Sequence, residues 1–311
     1  MAVFIPFLYA VFLSAPVFLL LSAEGSALDT SLTLRQALLN AHQQGLERID
    51  AQMLLLHVLG RPDAGRAWLL THDSDQLTAD QQAQFQSLCT QRLDAVPVAY
   101  LTGHKEFFGL PLQVDARVLD PRPDTETLVE WVLDCLENRT SPSIIDLGTG
   151  SGAIALAVQS QRMDATVTAV DFNGDALDVA RANAQRLNLP VQLVQSSWLS
   201  QVSGKFDVIA SNPPYIREDD AHMPALRHEP RHALTSGEDG LNDIRTIIAQ
   251  APQHLKAGGW LLLEHGWDQA QDVQQLLREA GFEQVHSRQD LAGVDRCTGG
   301  QTPLTARRAI Q

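Results

Sequence analysis

The sequence predicts an α/β protein: a mostly parallel sheet covered by helices on both faces, preceded by a small helical domain. Three observations predict it. Short apolar strands and amphipathic helices alternate from Ser143 onward, and only a parallel sheet with helical crossovers accommodates that order. The first of those strands runs directly into Gly148-Thr-Gly-Ser-Gly152, a turn in which glycine lets backbone approach a ligand. Residues 33–95 carry apolar side chains at helical spacing and no strand pattern.

In chain order, Leu34, Leu38 and Ala41 mark a first helix that stops at Gly45. Ile49, Met53, Leu56 and Val58 mark a second, ending at Gly60, and Trp68 and Leu69 a short third. Thr78-Ala-Asp-Gln81 has capping-box spacing and opens a fourth, with Phe85, Leu88 and Leu93. Short strands are expected at Tyr100-Leu101, Phe107-Phe108 and Leu112 to Val114, separated by Gly103, Gly109 and Pro111. A helix then carries Leu128, Val129, Val132, Leu133 and Leu136. Seven strands are expected to form the sheet: 143–147, 166–170, 191–194, 206–210, 260–263, 282–286 and 304–308. Helices are expected at 154–158, 176–187, 244–255 and 273–280. The organisation read from this is an apolar extension at 1–30, a helical domain at 31–96, a hairpin linker at 97–120 and the α/β domain at 121–311.

Composition narrows the function. The chain has 311 residues, and 23 Lys plus Arg against 37 Asp plus Glu leave a formal net charge of −14. That balance repels phosphate backbones and argues against direct binding of DNA or RNA, while it suits a basic partner. The three cysteines, Cys89, Cys135 and Cys297, are far apart and form no CxxC, which argues against a disulfide framework or a zinc site. His228 and His232 are four apart, but no carboxylate–histidine set completes a metal site, and they read as solvated loop residues.

The chemistry gathers at strand ends. Asp146 stands two residues before Gly148, in a GxGxG spacing that differs from the GxGxxG of dinucleotide sites. An acid there is unwelcome beside phosphates and suits a ligand with an ammonium group. Asp171 ends the second strand, where a carboxylate can accept from both hydroxyls of a ribose. Ser196-Ser-Trp198 follows the third, and an indole there can lie on a purine face. The plain alternatives are an ordinary βα turn and a core tryptophan. The fourth strand runs into Ser211-Asn-Pro-Pro-Tyr215. Pro213 and Pro214 fix the backbone and leave carbonyls free. Asn212 offers an amide acceptor and donors, and Tyr215 an aromatic wall. Together they can grip a planar NH2 group, a poor nucleophile that needs positioning rather than a strong base. Taken alone, the stretch would read as a proline-rich turn.

These motifs resemble a class I S-adenosyl-L-methionine-dependent methyltransferase acting on a planar NH2 group. Leu119-Asp-Pro-Arg-Pro-Asp-Thr-Glu126, Leu261-Leu-Leu-Glu-His-Gly266 and Tyr100-Leu-Thr-Gly-His-Lys-Glu-Phe107 narrow the resemblance to the HemK/PrmC family, over roughly residues 32–300. The resemblance implies a seven-stranded, Rossmann-like methyltransferase sheet. It also implies methyl transfer to the side-chain amide nitrogen (N5) of the glutamine in the GGQ motif of class I peptide chain release factors, in the cytoplasm. Carried over, Asp146, Gly148, Thr149, Gly150, Ser151 and Gly152 serve the cofactor's methionine end, Asp171 its ribose and Trp198 its adenine. Asn212, which also touches the cofactor, binds the glutamine amide with Pro213, and Pro214 and Tyr215 shape the pocket. Relatives often carry an acid where this chain has Ser197. Glu264 and His265 read as pocket walls or strand-end residues, and the segment 217–231 as a flank of the substrate groove or a solvated loop. Residues 293–311 match poorly and receive no role, and the Gly299-Gly-Gln301 tripeptide within them reads as a chance match in a loop. The competing readings are a ribosomal-protein glutamine methyltransferase, an N6-adenine nucleic-acid methyltransferase and a dehydrogenase.

Residues 1–23 contain no charged side chain. Their length suits a membrane span or a signal, but no Lys or Arg precedes them and Pro6 and Pro16 interrupt a helix. They fall outside the resemblance, and a cytoplasmic substrate argues against secretion. The expectation is a start assigned too far upstream, the true one lying shortly before Thr33, rather than a membrane anchor.

Overall fold

The computed structural model describes residues 31–304; the apolar segment before them and residues 305–311 lie outside the described residues. Helices α1 (Leu34–Gln43), α2 (Arg48–Val58), α3 (Arg66–Thr71) and α4 (Ala79–Leu93) pack around a core that includes Leu34, Leu54, Leu55, Leu77 and Phe85. Thr33 with Gln36, and Thr78 with Gln81, form capping boxes in which each threonine hydroxyl accepts the N3 amide and each glutamine accepts the cap amide.

The expected strand at Tyr100-Leu101 is instead a helical turn, α5 (Val98–Thr102). Pro97 stands at its N-cap, and its ring fixes φ and supplies no N–H, which suits a helix start. Gly103, at φ 74°, stops the turn. Strands β1 (His104–Phe107) and β2 (Leu110–Gln113) make the antiparallel hairpin that follows, and Phe107 and Leu112 are buried in the α/β core.

Beyond the hairpin come α6 (Glu126–Leu136), β3 (Ser143–Leu147), α7 (Ala153–Gln161), β4 (Thr166–Asp171), α8 (Gly174–Leu187), β5 (Val191–Gln195) and β6 (Phe206–Ser211). The chain closes with α9 (Asn242–His254), β7 (Leu255–Glu264), α10 (Ala270–Glu279), β8 (Glu283–Gln289) and β9 (Asp295–Gln301). Seven strands form one sheet in the order β5-β4-β3-β6-β7-β9-β8, in which β9 alone is antiparallel to its neighbours. This is the Rossmann-like methyltransferase sheet expected from the sequence. One core packs α6, α7 and α8 on one face, and the other packs α9 and α10 on the opposite face.

The strand expected at 304–308 lies, beyond Leu304, outside the described residues, and the seventh strand of the sheet stands earlier in the chain. It is β9, whose Asp-Arg-Cys-Thr-Gly-Gly-Gln text has no apolar run to announce it. Its glycines answer to packing. A Cβ on Gly299 would stand 2.5 Å from Leu262 and 2.9 Å from the Trp131 ring, and one on Gly300 would stand 2.8 Å from Phe282 Cβ. The Gly299-Gly-Gln301 tripeptide is therefore a buried strand rather than a loop. The Gln301 amide donates to the Gly258 carbonyl at 2.9 Å and accepts from Gln284 at 2.8 Å.

The topology positions the site. β3 lies between β4 and β6, and Leu147 pairs in register with Val170 on one side and Ser211 on the other. Three parallel strands thus release their chains at one sheet edge, where the strand order reverses and a crevice opens.

Candidate functional site

The loop leaving β3 turns through three left-handed glycines: Gly148 at φ 70°, Gly150 at φ 54° and Gly152 at φ 86°. A Cβ at Gly148 would lie 3.3 Å from the Trp198 ring, so only glycine combines this backbone with this approach. Asp146 lies beneath the loop, buried, its Oδ2 accepting from Thr149 Oγ1 at 2.6 Å and the Ala155 amide at 3.2 Å. Burial, with the neighbouring Asp171 charge, pushes its carboxyl up to about 7. Its Oδ1 has no hydrogen-bond partner. Asp171, at the end of β4, accepts the Gly150 amide at 3.0 Å on Oδ2 and the Asn173 amide at 2.9 Å on Oδ1. Each oxygen keeps a lone pair for a further donor.

An open cleft of about 200 Å³ is lined by Gly148, Gly150, Asp171, Phe172, Ser197, Trp198, Asn212 and Pro214, among others. Thr149, Ser151, Gly152 and Asp146 hold the loop from behind and do not line it. Trp198 sits at φ 51°, and its indole donates to Asp243 Oδ1 at 3.2 Å. Asp243, at the start of α9, also receives Ser236 Oγ at 2.7 Å. Phe172, 55 % exposed, stands edge-on to His232 at 5.1 Å between ring centroids. His232, read from the sequence as a solvated histidine, is thus part of the cleft wall. A hydroxyl-accepting carboxylate flanked by two aromatic side chains suits a nucleoside, and the glycine turn suits an unbranched tail lying against backbone.

The turn at Asn212 leaves β6 beside this cleft, tied to the glycine loop by Ser211 Oγ donating to the Leu147 carbonyl at 2.7 Å. A second cavity of about 360 Å³ is lined by Leu119, Arg122, Asn212, Pro213, Tyr215 and Leu226, among others. Asn212, Leu119 and Ala233 line both cavities, so the amide stands in the wall where they meet. Asn212 Nδ2 donates to Thr125 Oγ1 at 3.1 Å, and the Tyr215 hydroxyl donates to Glu264 Oε1 at 3.3 Å. Burial, the largest cause, pushes Glu264 up to about 7 and Tyr215 well above its ordinary value.

Distant segments fasten this half of the site. Arg122 Nη2 binds Glu229 Oε1 at 2.5 Å, and Glu229 Oε2 accepts the Asp120 amide at 3.3 Å. The segment after Asn212 is thereby anchored to the 119–126 motif. His228 and Arg227 reach back to Asp94 at the end of α4. β9, to which the sequence assigned no role, sends Arg296 between Asp124 and Asp290 at 3.2 Å to each. Glu264 and His265 are buried and line neither cavity; His265 Nε2 bonds Thr298 Oγ1 at 2.7 Å. Sequence reasoning missed Phe172, Asp243, Thr125, Arg122 and Glu229 as parts of the site. Phe172 follows Asp171 directly, and Thr125 and Arg122 lie within the quoted 119–126 motif, so signals existed for them. Glu229 lies in the 217–231 segment read as a flank of the substrate groove, and Asp243 carried no signal. Among the described residues no cluster of His, Cys, Asp or Glu could hold a metal ion, and no helix is long and apolar enough to cross a membrane.

A sheet of this order, with a glycine turn, a strand-end acid and an Asn-Pro-Pro-Tyr turn about one crevice, defines a methyltransferase. Residues 124–238 match the Methyltransferase small domain family and residues 32–103 the PrmC N-terminal domain. The fold is shared with the hMettl16 catalytic domain (TM-score 0.52, 16% identity, 66% of this chain and 79% of that one). It is also shared with RsmC, a T. thermophilus 16S rRNA methyltransferase in complex with AdoMet and guanosine (TM-score 0.50, 18% identity, 64% and 49%). Sequence relatives are far nearer. A release factor glutamine methyltransferase of Bordetella pertussis is 48% identical over 82% of this chain and 95% of its own. One of Xylella fastidiosa is 47% identical over 86% and 98%, and one of Escherichia coli 44% over 86% and 97%. The chain belongs to the release factor glutamine methyltransferase family.

Proposed function

We propose that this enzyme transfers a methyl group from S-adenosyl-L-methionine to the side-chain amide nitrogen (N5) of the glutamine in the GGQ motif of class I peptide chain release factors, in the cytoplasm. The observation that carries this reading is the place of Asn212, in the wall shared by two adjoining cavities. One cavity has the character of a nucleoside site; the other is short, apolar and rimmed by Arg122 and Tyr215.

In this reading Asp171 takes the ribose hydroxyls, and Trp198 and Phe172 flank the adenine. Gly148 and Gly150 receive the methionine end, with Asp146, Thr149, Ser151 and Gly152 holding that loop in shape. When bound, S-adenosyl-L-methionine supplies a methyl on a positively charged sulfur, suited to SN2 transfer. The glutamine side chain enters from the second cavity. Asn212 and the free carbonyl of Pro213 accept its two N–H hydrogens, and Pro214 and Tyr215 confine its plane. Amide nitrogen is a weak nucleophile, so the residues act by holding it in line and by drawing electron density toward nitrogen as they polarise its N–H bonds. The proton leaves after the methyl has arrived, so no strong base is required.

Incubation with labelled cofactor and purified release factor tests this, with a Gln→Ala release factor as control. Label on the glutamine alone is expected. Equal labelling of the control, or transfer only to nucleic acid or to a ribosomal protein, overturns the reading.

A further inference from the structure

We propose that Thr125 and Glu264 are positioning residues: the Thr125 hydroxyl holds the Asn212 amide with its carbonyl oxygen facing the junction of the two cavities, and the buried Glu264 carboxyl takes the Thr125 hydrogen. The inference rests on the function proposed above and extends it to residues that line neither cavity.

Which way a side-chain amide faces is decided by its partners. Asn212 Nδ2 is engaged by Thr125 Oγ1 at 3.1 Å, which leaves Oδ1 as the atom free to meet a ligand. That arrangement requires the Thr125 oxygen to accept, and a hydroxyl that accepts must send its single hydrogen elsewhere. Thr125 is 4 % exposed, so water cannot take it readily. The Glu264 carboxyl can: it lies at the end of β7, is 1 % exposed, accepts from the Tyr215 hydroxyl, and has its charged form favoured by the Thr125 and Tyr215 hydroxyls. Tyr215 occupies Oε1 at 3.3 Å, while Oε2 is buried and has no hydrogen-bond partner, which leaves it as the acceptor for the Thr125 hydrogen. The nearby Arg296 guanidinium is bonded to Asp124 and Asp290 instead. When ionised, above its raised value of about 7, the carboxylate only accepts, and the polarity then runs one way, from Asn212 to Thr125 to Glu264. Tyr215 gives its hydrogen to the same acceptor, so both ends of the Asn-Pro-Pro-Tyr turn answer to one buried acid.

The consequence for the reaction is directional. A substrate NH2 group needs acceptors. With the relay intact, Asn212 offers an oxygen; with the amide turned over, it offers N–H against N–H, and the nitrogen is pushed out of line.

The test compares Thr125→Val, which keeps shape and removes the hydroxyl, with Thr125→Ser, which restores it, and with Glu264→Gln. Transfer to the release factor is measured as kcat and KM, cofactor affinity by calorimetry, and folding by Tm. Thr125→Val is expected to lower kcat roughly 10- to 100-fold, the scale of a misplaced reacting group. Cofactor Kd and release-factor KM should stay within about threefold of wild type, and Thr125→Ser should recover most of kcat. Glu264→Gln should also lower kcat, because its amide can donate to Thr125 and reverse the polarity. Wild-type kcat in Thr125→Val, or a serine variant no better than the valine, overturns the proposal. If Thr125→Val does not fold, Glu264→Gln decides alone, and wild-type kcat there overturns it. Failure of the wild-type enzyme to label the release factor would count against the function itself, which separates the two outcomes.

Discussion

The two cavities that meet at Asn212 are built in opposite ways. The walls of the one beside the glycine turn come mainly from strand ends and the residues just after them: Gly148 and Gly150 after β3, Asp171 and Phe172 at and after β4, and Trp198 after β5. Its decisive hydrogen bonds, Gly150 to Asp171 and Thr149 to Asp146, close within 21 residues of sequence. The cavity beside Arg122 and Tyr215 depends on partners from all along the chain. Asn212 reaches Thr125 across 87 residues, Arg122 reaches Glu229 across 107, and Tyr215 reaches Glu264 across 49. The difference teaches where each kind of recognition is stored. In the proposed reading, a cofactor shared by many enzymes would be met by a local turn that any parallel sheet can carry, and a particular protein side chain by a pocket that exists only once the fold has closed.

Breaking the shared wall should have the largest effect. Asn212→Ala is expected to lower kcat roughly 100- to 1000-fold while cofactor affinity, read by calorimetry, changes by less than about fivefold. An equal loss of both would mean that the two cavities are not separable. Next, Asp171→Ala should weaken cofactor binding roughly 10- to 100-fold, the loss of charge-assisted hydrogen bonds. Saturating cofactor should restore much of kcat; a kcat that stays low would place Asp171 on the substrate side.

A third substitution separates packing from chemistry in the Gly299-Gly-Gln301 strand. Gly299→Val should destabilise the fold by about 1–3 kcal/mol through overpacking against Trp131 and Leu262. Denaturant unfolding checks this, and mass spectrometry of wild-type protein after incubation with cofactor should find Gln301 unmethylated.

The smallest effect sharpens the local half. Asp146 has its folded pKa raised to about 7 by burial. Between its ordinary value and that value, the unfolded chain releases a proton that the folded chain keeps. Stability is therefore lost as pH rises through this window, and is flat above it. Asp146→Asn keeps an acceptor for Thr149 and Ala155 and removes this loss. Its Tm should rise relative to wild type by about 2 °C at pH 8, and by less at pH 5. A larger gain at pH 5 would contradict the buried, proton-binding carboxyl.

Sequence reasoning succeeded and failed along the same line. Ser143 to Leu147 and Phe206 to Ala210 were legible because a strand buried on both faces reads as an apolar run. β9 was not, because its place over Trp131 and Phe282 calls for glycines, and glycine ordinarily argues against a strand. Tyr100-Leu101 has strand-forming side chains, yet Pro97 and Gly103 bracket a helical turn, and α5 packs its Val98 and Leu101 against the helical core. His232 looked like one of a pair of solvated loop histidines until Phe172 was found against it.

By itself the sequence determined the parallel strands, the glycine turn, the acid at the end of β4 and the Asn-Pro-Pro-Tyr turn, because each is specified by neighbours within a few residues. Only the tertiary structure decided which face of Asn212 is presented, what Trp198 donates to, and that the 295–301 strand stands behind the site. Those are long-range facts. They depend on parallel register, on burial that excludes water, and on which buried donor finds which buried acceptor. Local sequence periodicity carries none of that information.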